Sequence, residues 1–155
     1  MKNRIISKDT PLAEITLRKY EKPVKMEQRD LVRKLCLSTG LLQPGDSRDI
    51  VVDILHILLR ARKEKEELDS EQIKEKVIEL RKEAGLAVAG VASSNIRRQL
   101  KRLRDLFLVE KVRNRYRINE HESLNNIFHE RIEQYLLHTV VSRVKDYVDV
   151  LDREF

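Results

Sequence analysis

The sequence predicts a mainly α fold with one short β-hairpin and a long C-terminal helix. Three observations carry this expectation. Apolar residues recur at i, i+4, i+7 through most of the chain. All four Gly and all three Pro lie before residue 91, so the last 65 residues are expected to be continuous regular structure. Two short β-prone runs, 108–112 and 115–118, flank Arg113-Asn114. Asn tolerates positive φ, which suits a tight hairpin at that point.

Residues 1–24 read as a basic arm punctuated by Thr10-Pro11 and Lys22-Pro23, with Ile15-Thr16-Leu17 as a possible short strand. The arm is expected either to reach a nucleic-acid groove or to tuck Leu12, Ile15 and Leu17 onto the domain. A first helix, within an N-terminal unit at 25–45, is expected from about Met26 to Thr39. There Leu31 and Leu35, and Val32 and Cys36, pair at i,i+4, and Gly40 sits where a C-cap is wanted. After the turn Gln43-Pro44-Gly45-Asp46, either Asp46 or Ser47 is expected to cap a second helix running to about Lys63.

Asp69 with Gln72 three residues on reads as a capping box. It opens a third helix with Ile73, Val77, Leu80 and Ala84 on one face, ended by Gly85. The apolar link 86–91 is expected to be packed. Ser93 or Ser94 is expected to cap a fourth helix to about Phe107, with Ile96, Leu100, Leu103 and Phe107 as its buried stripe. The last helix is expected from Ser123 to about Asp152, within a C-terminal unit at 120–155. Its stripe of Ile127, Ile132, Leu136, Val140, Val144 and Leu151 drifts between periods of about 3.5 and 4. A break near His138-Thr139, folding the helix back, is the alternative.

Charge is concentrated rather than spread. The chain holds 32 Lys and Arg against 26 Asp and Glu, a net +6. Residues 93–117 alone hold 9 basic and 2 acidic residues, or +7, more than the whole chain. Such a window is the footprint of a polyanion-binding face. At about 100° per residue, Leu100, Leu103 and Phe107 lie within about 40° of Ile96, and the basic residues lie on the flanks or opposite face. Ser94, Asn95, Arg98 and Arg102 fall near the N-terminal or outer side of the helix, where Asn and Arg can read base edges. Arg97, Lys101 and Arg104 suit phosphates, and Arg113 and Arg115 at the hairpin suit an adjacent groove or backbone.

The run from Ser94 to Lys111, followed by Asn114-Arg115-Tyr116-Arg117-Ile118, resembles the recognition-helix-plus-wing segment of winged helix-turn-helix transcription regulators. The resemblance covers about residues 47–118, within a domain placed at 46–119. It departs from the usual pattern at Phe107, where the family often has Gly, and in a wing turn that is short and lacks Gly. It implies sequence-specific binding of double-stranded DNA through helix 94–107 and a role in transcription regulation. The long helix implies a homodimer through 123–152, because so long an apolar stripe exceeds what one small domain can cover. The alternatives are a protein-interaction subunit of a larger replication or chromosome assembly, and RNA binding through the same basic face.

Other signals lead away from catalysis. His129-Glu130-Arg131-Ile132-Glu133 lacks the second His of a zinc-protease helix. Gly85 and Gly90 have P-loop spacing, but Val91-Ala92 replace the Lys-Ser/Thr pair. Cys36, the only cysteine, lies on an apolar face and reads as a small core residue. No enzyme, cofactor or metal is therefore expected. No apolar run approaches the roughly 18–20 residues of a membrane span, and no secretory h-region is seen, so a cytoplasmic protein is expected.

Overall fold

The computed structural model describes residues 9–155. Four helices come first: α1 (Gln28–Ser38), α2 (Ile50–Lys63), α3 (Ser70–Glu83) and α4 (Ser93–Asp105). An antiparallel hairpin of β1 (Val109–Val112) and β2 (Arg115–Ile118) follows, then a 3-10 turn at Asn119–His121. The last element, α5, comprises Leu124–Ile127, Phe128–Leu137 and His138–Glu154 in unbroken succession.

α2 is the axis of the core. Every residue from Ile50 to Leu58 is buried, as expected of a helix apolar around its circumference. α1, α3, α4 and β2 all pack on it. The fourth helix contributes Ile96, Leu100 and Leu103, each fully buried, so its expected stripe holds up to Leu103. The capping box forms as expected: the Gln72 N–H donates to Asp69 Oδ1 at 2.8 Å and the Asp69 N–H to Gln72 Oε1 at 2.9 Å.

The hairpin turns through Arg113 (φ 51°) and Asn114 (φ 65°). Positive φ at both positions is the twist that favours two-residue hairpins. Its register pairs Val109 with Ile118 and Val112 with Arg115. Leu68, in the α2–α3 connection, adds a further bridge through reciprocal hydrogen bonds with Tyr116 of 3.0 and 2.7 Å. The hairpin is thereby anchored to the helical core.

Several local expectations are corrected. α2 begins at Ile50 rather than after Asp46 or Ser47, and its N-cap Asp49 makes no capping bond, because its carboxylate is committed to arginines. Neither Ser93 nor Ser94 caps α4; Ala92 occupies that position, and the Ser93 hydroxyl instead donates to Glu71 at 3.0 Å. α4 stops at Asp105, because Phe107 turns left-handed (φ 66°), the conformation for which Gly is otherwise used. The Tyr135 ring meets Phe107 edge-on at 6.0 Å and covers it. The link 86–91 is mostly exposed rather than packed, with Val88 at 41%. Its backbone is held by hydrogen bonds instead of by apolar burial.

Ile15-Thr16-Leu17 forms no strand. The segment nevertheless tucks onto the domain: the Arg18 N–H donates to Ser38 O at 2.8 Å, and its guanidinium to Leu37 O at 2.7 Å. Thr16 crosses so close to Gly40 (φ 78°) that a Cβ there would stand 2.7 Å from Thr16 Cβ. Leu12, by contrast, is 94% exposed. Residues 1–8 of the expected arm lie outside the described residues.

α5 starts where the sequence placed it, with the Ser123 hydroxyl accepting from the Asn126 N–H at 3.2 Å. It runs through His138 with helical φ and ψ, so no break occurs there. Phe128–Leu137 is π-helical. That winding, with bonds from i to i+5, puts Ile127 and Ile132 on one face, and both are buried against the domain. The drifting apolar period is thus accommodated by a change of helix type.

One buried polar group stands apart. His56 is 6% exposed, and neither ring nitrogen has a hydrogen-bond partner. Burial, followed by the nearby Arg60 charge, holds its pKa below the ordinary 6.5. The unfolded chain therefore binds a proton that the folded chain resists. The stabilisation is complete above about pH 6.5 and is lost as pH falls below it, at up to about 1.4 kcal/mol per pH unit. Urea unfolding at pH 7.5, 6.5 and 5.5 should show wild type weakening more than His56→Leu; parallel curves would contradict this.

Candidate nucleic-acid interface

The surface is built on α4, and α4 is placed by charges beneath it. Asp49, the N-cap of α2, precedes Asp53 by one turn, and Asp53 is fully buried. Arg29 of α1 donates to Asp53 at 3.0 Å and to Asp49 at 3.0 Å. Arg81 of α3 donates to Asp53 at 2.6 Å and to Asp49 at 3.1 Å. Burial pushes the Asp49 carboxyl up, but Arg29 and Arg81 outweigh it and hold it below the usual carboxylate range. Arg81 also donates through Nε to the Ala87 carbonyl at 2.7 Å. One guanidinium thus joins the buried carboxylates to the link that delivers the chain to α4.

Asn95 closes the other end of that link. Its side-chain amide donates to Gly90 O at 2.6 Å, and its Oδ1 accepts from Arg98 at 2.7 Å and Gln99 at 3.1 Å. Gly90 has φ 74°, and a Cβ there would press against Ile50 at 3.3 Å and Asn95 at 3.4 Å. Asn95 therefore organises the start of the helix from a half-buried position.

The candidate contact residues of α4 divide into two sets. Ser94, Arg97, Arg98, Lys101 and Arg104 are exposed. Arg102 is half-buried and donates to Gln99 at 2.8 Å and to Gly40 O at 3.2 Å, tying α4 to the end of α1. Arg102 and Asn95, both expected at base edges, thus stand in supporting positions. Arg113 and Arg115 project from the exposed hairpin. Arg117 is withdrawn from this surface by Glu110 at 2.6 Å and Glu67 at 3.2 Å.

Lys101 pairs with Asp105 at 3.0 Å, but both side chains are largely exposed, and such pairs contribute little. Among the described residues, Arg97, Arg98, Arg104, Arg113 and Arg115 meet no carboxylate within ion-pair distance. The surface therefore offers unneutralised guanidinium groups from a helix and from a hairpin tip on the same domain. Beside it, a cleft of about 650 Å³ runs between the 41–50 segment, the 87–90 link and the Asn95–Arg102 flank of α4. Arg48, Arg81, Arg98 and Arg102 contribute to its walls.

Apolar periodicity reveals neither the buried cluster nor the cleft. The available signal was Asp49 and Asp53, two carboxylates at i,i+4 in an otherwise apolar helix. Cys36 is fully buried, and burial pushes its thiol up to about 12, so it is inert core. Among the described residues no group of His, Cys, Asp and Glu is disposed to hold a metal ion, and no helix is long and apolar enough to cross a membrane.

No protein-family model, curated protein or solved structure matches the chain. The function is therefore argued from the site itself.

The ionic cluster generates a stability prediction. Asp53→Leu removes the fully buried carboxylate that Arg29 and Arg81 share and leaves them Asp49 alone, and breaking such buried pairs costs about 3–5 kcal/mol. Urea unfolding at pH 7.5 should show a loss of that order, and a loss under about 1 kcal/mol would contradict the central role of Asp53.

Proposed function

We propose that the chain is a winged helix-turn-helix protein that binds double-stranded DNA sequence-specifically and regulates transcription as a homodimer. In this reading α2, α3 and α4 form the helical part, with α4 as recognition helix. The β1–β2 hairpin, joined by Leu68, is the wing. The carrying observation is the set of unneutralised cations on α4 and the hairpin tip.

A major groove admits one helix, and the residues nearest its N-terminus approach the bases. Ser94, Arg97 and Arg98 are the exposed polar residues there. Arg98 is the base reader, held in orientation by Asn95. Arg97, Lys101 and Arg104 bind phosphates, and Arg113 and Arg115 follow the backbone beside them. Asn95 and Arg102 act from behind by fixing the helix.

The test is the salt dependence of duplex binding, read by fluorescence anisotropy. Neutralising about 6 phosphates gives a slope near −5 in log K against log salt. Replacing Arg97, Lys101 and Arg104 by Ala should flatten that slope by about 3. A wild-type slope near zero contradicts DNA binding. Tighter binding to a structured RNA than to any duplex favours the RNA alternative.

A further inference from the structure

The structure separates two roles along α5. Up to Leu136 the helix lies on its own domain: Ile127 and Ile132 are buried, and Leu124, Phe128 and Leu136 pack against the core. Beyond that it leaves the domain, and no residue of His138–Glu154 is buried. The exposed apolar residues there include Val141 at 44%, Val144 at 57%, Val148 at 49%, Leu151 at 56% and Phe155 at 102%.

With Leu137, these residues recur in alternating steps of four and three. That is the seam of a heptad repeat, whose partner is another helix. We infer that Leu137–Phe155 pairs in parallel and in register with the same segment of a second copy. The inference rests on the homodimer of the reading above, not on its DNA partner, and it narrows the interface from the whole of α5 to its projecting part.

Side-chain type and charge both favour this occupant. Val141 and Val148, with Phe155 last, fall at a positions, and Leu137 and Leu151 fall at d on either side of Val144; β-branched a with Leu at most d positions favours two parallel strands. Tyr147 and Val140 flank the seam at g, and Asp152 and Lys145 at e. Parallel pairing sets Tyr147 beside the partner's Asp152, and Val140 beside the aliphatic stem of the partner's Lys145. No like charges meet. Antiparallel pairing that uses every seam residue sets Lys145 against the partner's Lys145. Sliding that arrangement by one heptad relieves the clash but strands either Leu137 and Val141 or Leu151 and Phe155. Glu154 takes the last g position, where the chain offers no later e residue to oppose it, and the other charges, Arg143 with Asp146 at 3.3 Å among them, face away from the seam.

The seam spans fewer than three heptads, which is short for isolated peptides. Here the helix continues out of a folded domain, so its nucleation cost is already met. Geometry favours the parallel form too. Antiparallel pairing holds the two Ile132 residues roughly 40 Å apart at 1.5 Å per residue. Parallel pairing brings the two helix axes at that level to within about 10 Å, with each Ile132 on the outer side, both domains at one end of the coil and a two-fold axis between them.

Full-length Val144→Cys decides the geometry under mild oxidation. Cys36 is fully buried, so the introduced thiol is the reactive one. Parallel pairing places the two new cysteines opposite each other, and Val144→Cys alone should link covalently into dimers. Antiparallel pairing instead sets position 144 against position 148; efficient linking only when Val144→Cys is mixed with Val148→Cys would overturn the inference. Light scattering at tens of micromolar should give twice 18.3 kDa for wild type, and Val144→Glu/Leu151→Glu should be monomeric with unchanged helical content. A monomeric wild type, or a dimer that survives the double substitution, would also overturn it. A dimer without DNA affinity, or a monomer with it, tells this inference apart from the DNA-binding reading.

Discussion

Two aspartates on one buried helix hold the relative placement of three helices and of the chain leading to a fourth. Asp53 has no access to water, and its charge is tolerated because Arg29 and Arg81 surround it from α1 and α3. Desolvating ions is expensive, and buried ion pairs often contribute little net stability compared with apolar packing. Their geometry is demanding, however. An apolar core tolerates a shift of one helix on another better than hydrogen-bonded ions do. We attribute to this cluster the register of α1 and α3 on α2. Through the Arg81–Ala87 bond it also sets the approach to α4.

The consequence for function is a division of labour within α4. Its inner face is Ile96, Leu100 and Leu103, a purely apolar anchor. On its flank Asn95 and Arg102 satisfy the Gly90 and Gly40 carbonyls, and Gln99 bridges the two side chains. Its outer face keeps exposed cations that meet no carboxylate among the described residues. A helix fixed on two sides presents those cations with little rotational freedom, which lowers the ordering cost of engaging a polyanion. The hairpin shares this rigidity because Leu68 and Tyr116 tie it to the core.

Much of this architecture was legible in residue patterns. Period-3.6 spacing located α1 to α4, the Asp69–Gln72 box marked a helix start, and Arg113-Asn114 marked the hairpin turn. Patterns failed where a side chain had competing uses. Ser93 and Asp49 are good N-cap residues by type, but Glu71 and the arginines claim them. The link 86–91 reads as apolar and therefore packed, yet hydrogen bonds hold it while Val88 faces solvent. The π-helical stretch showed only as a drifting period in the last stripe. Of the candidate site, exposure follows the helical wheel for Arg97, Arg98, Lys101 and Arg104. Arg102 and Asn95 depart from it because tertiary acceptors, such as the Gly40 carbonyl, lie beyond the reach of local spacing.

The central claim is that α4 and the hairpin tip form one polyanion-binding surface fixed by the core. The most direct measurement is a titration of isotopically labelled protein with a short duplex, following backbone amide shifts residue by residue. The account predicts that the largest changes fall in residues 93–105 and 113–115, with α2 and the 137–155 segment nearly unmoved. Changes confined to the projecting helix, or spread evenly over every exposed lysine and arginine, would contradict it.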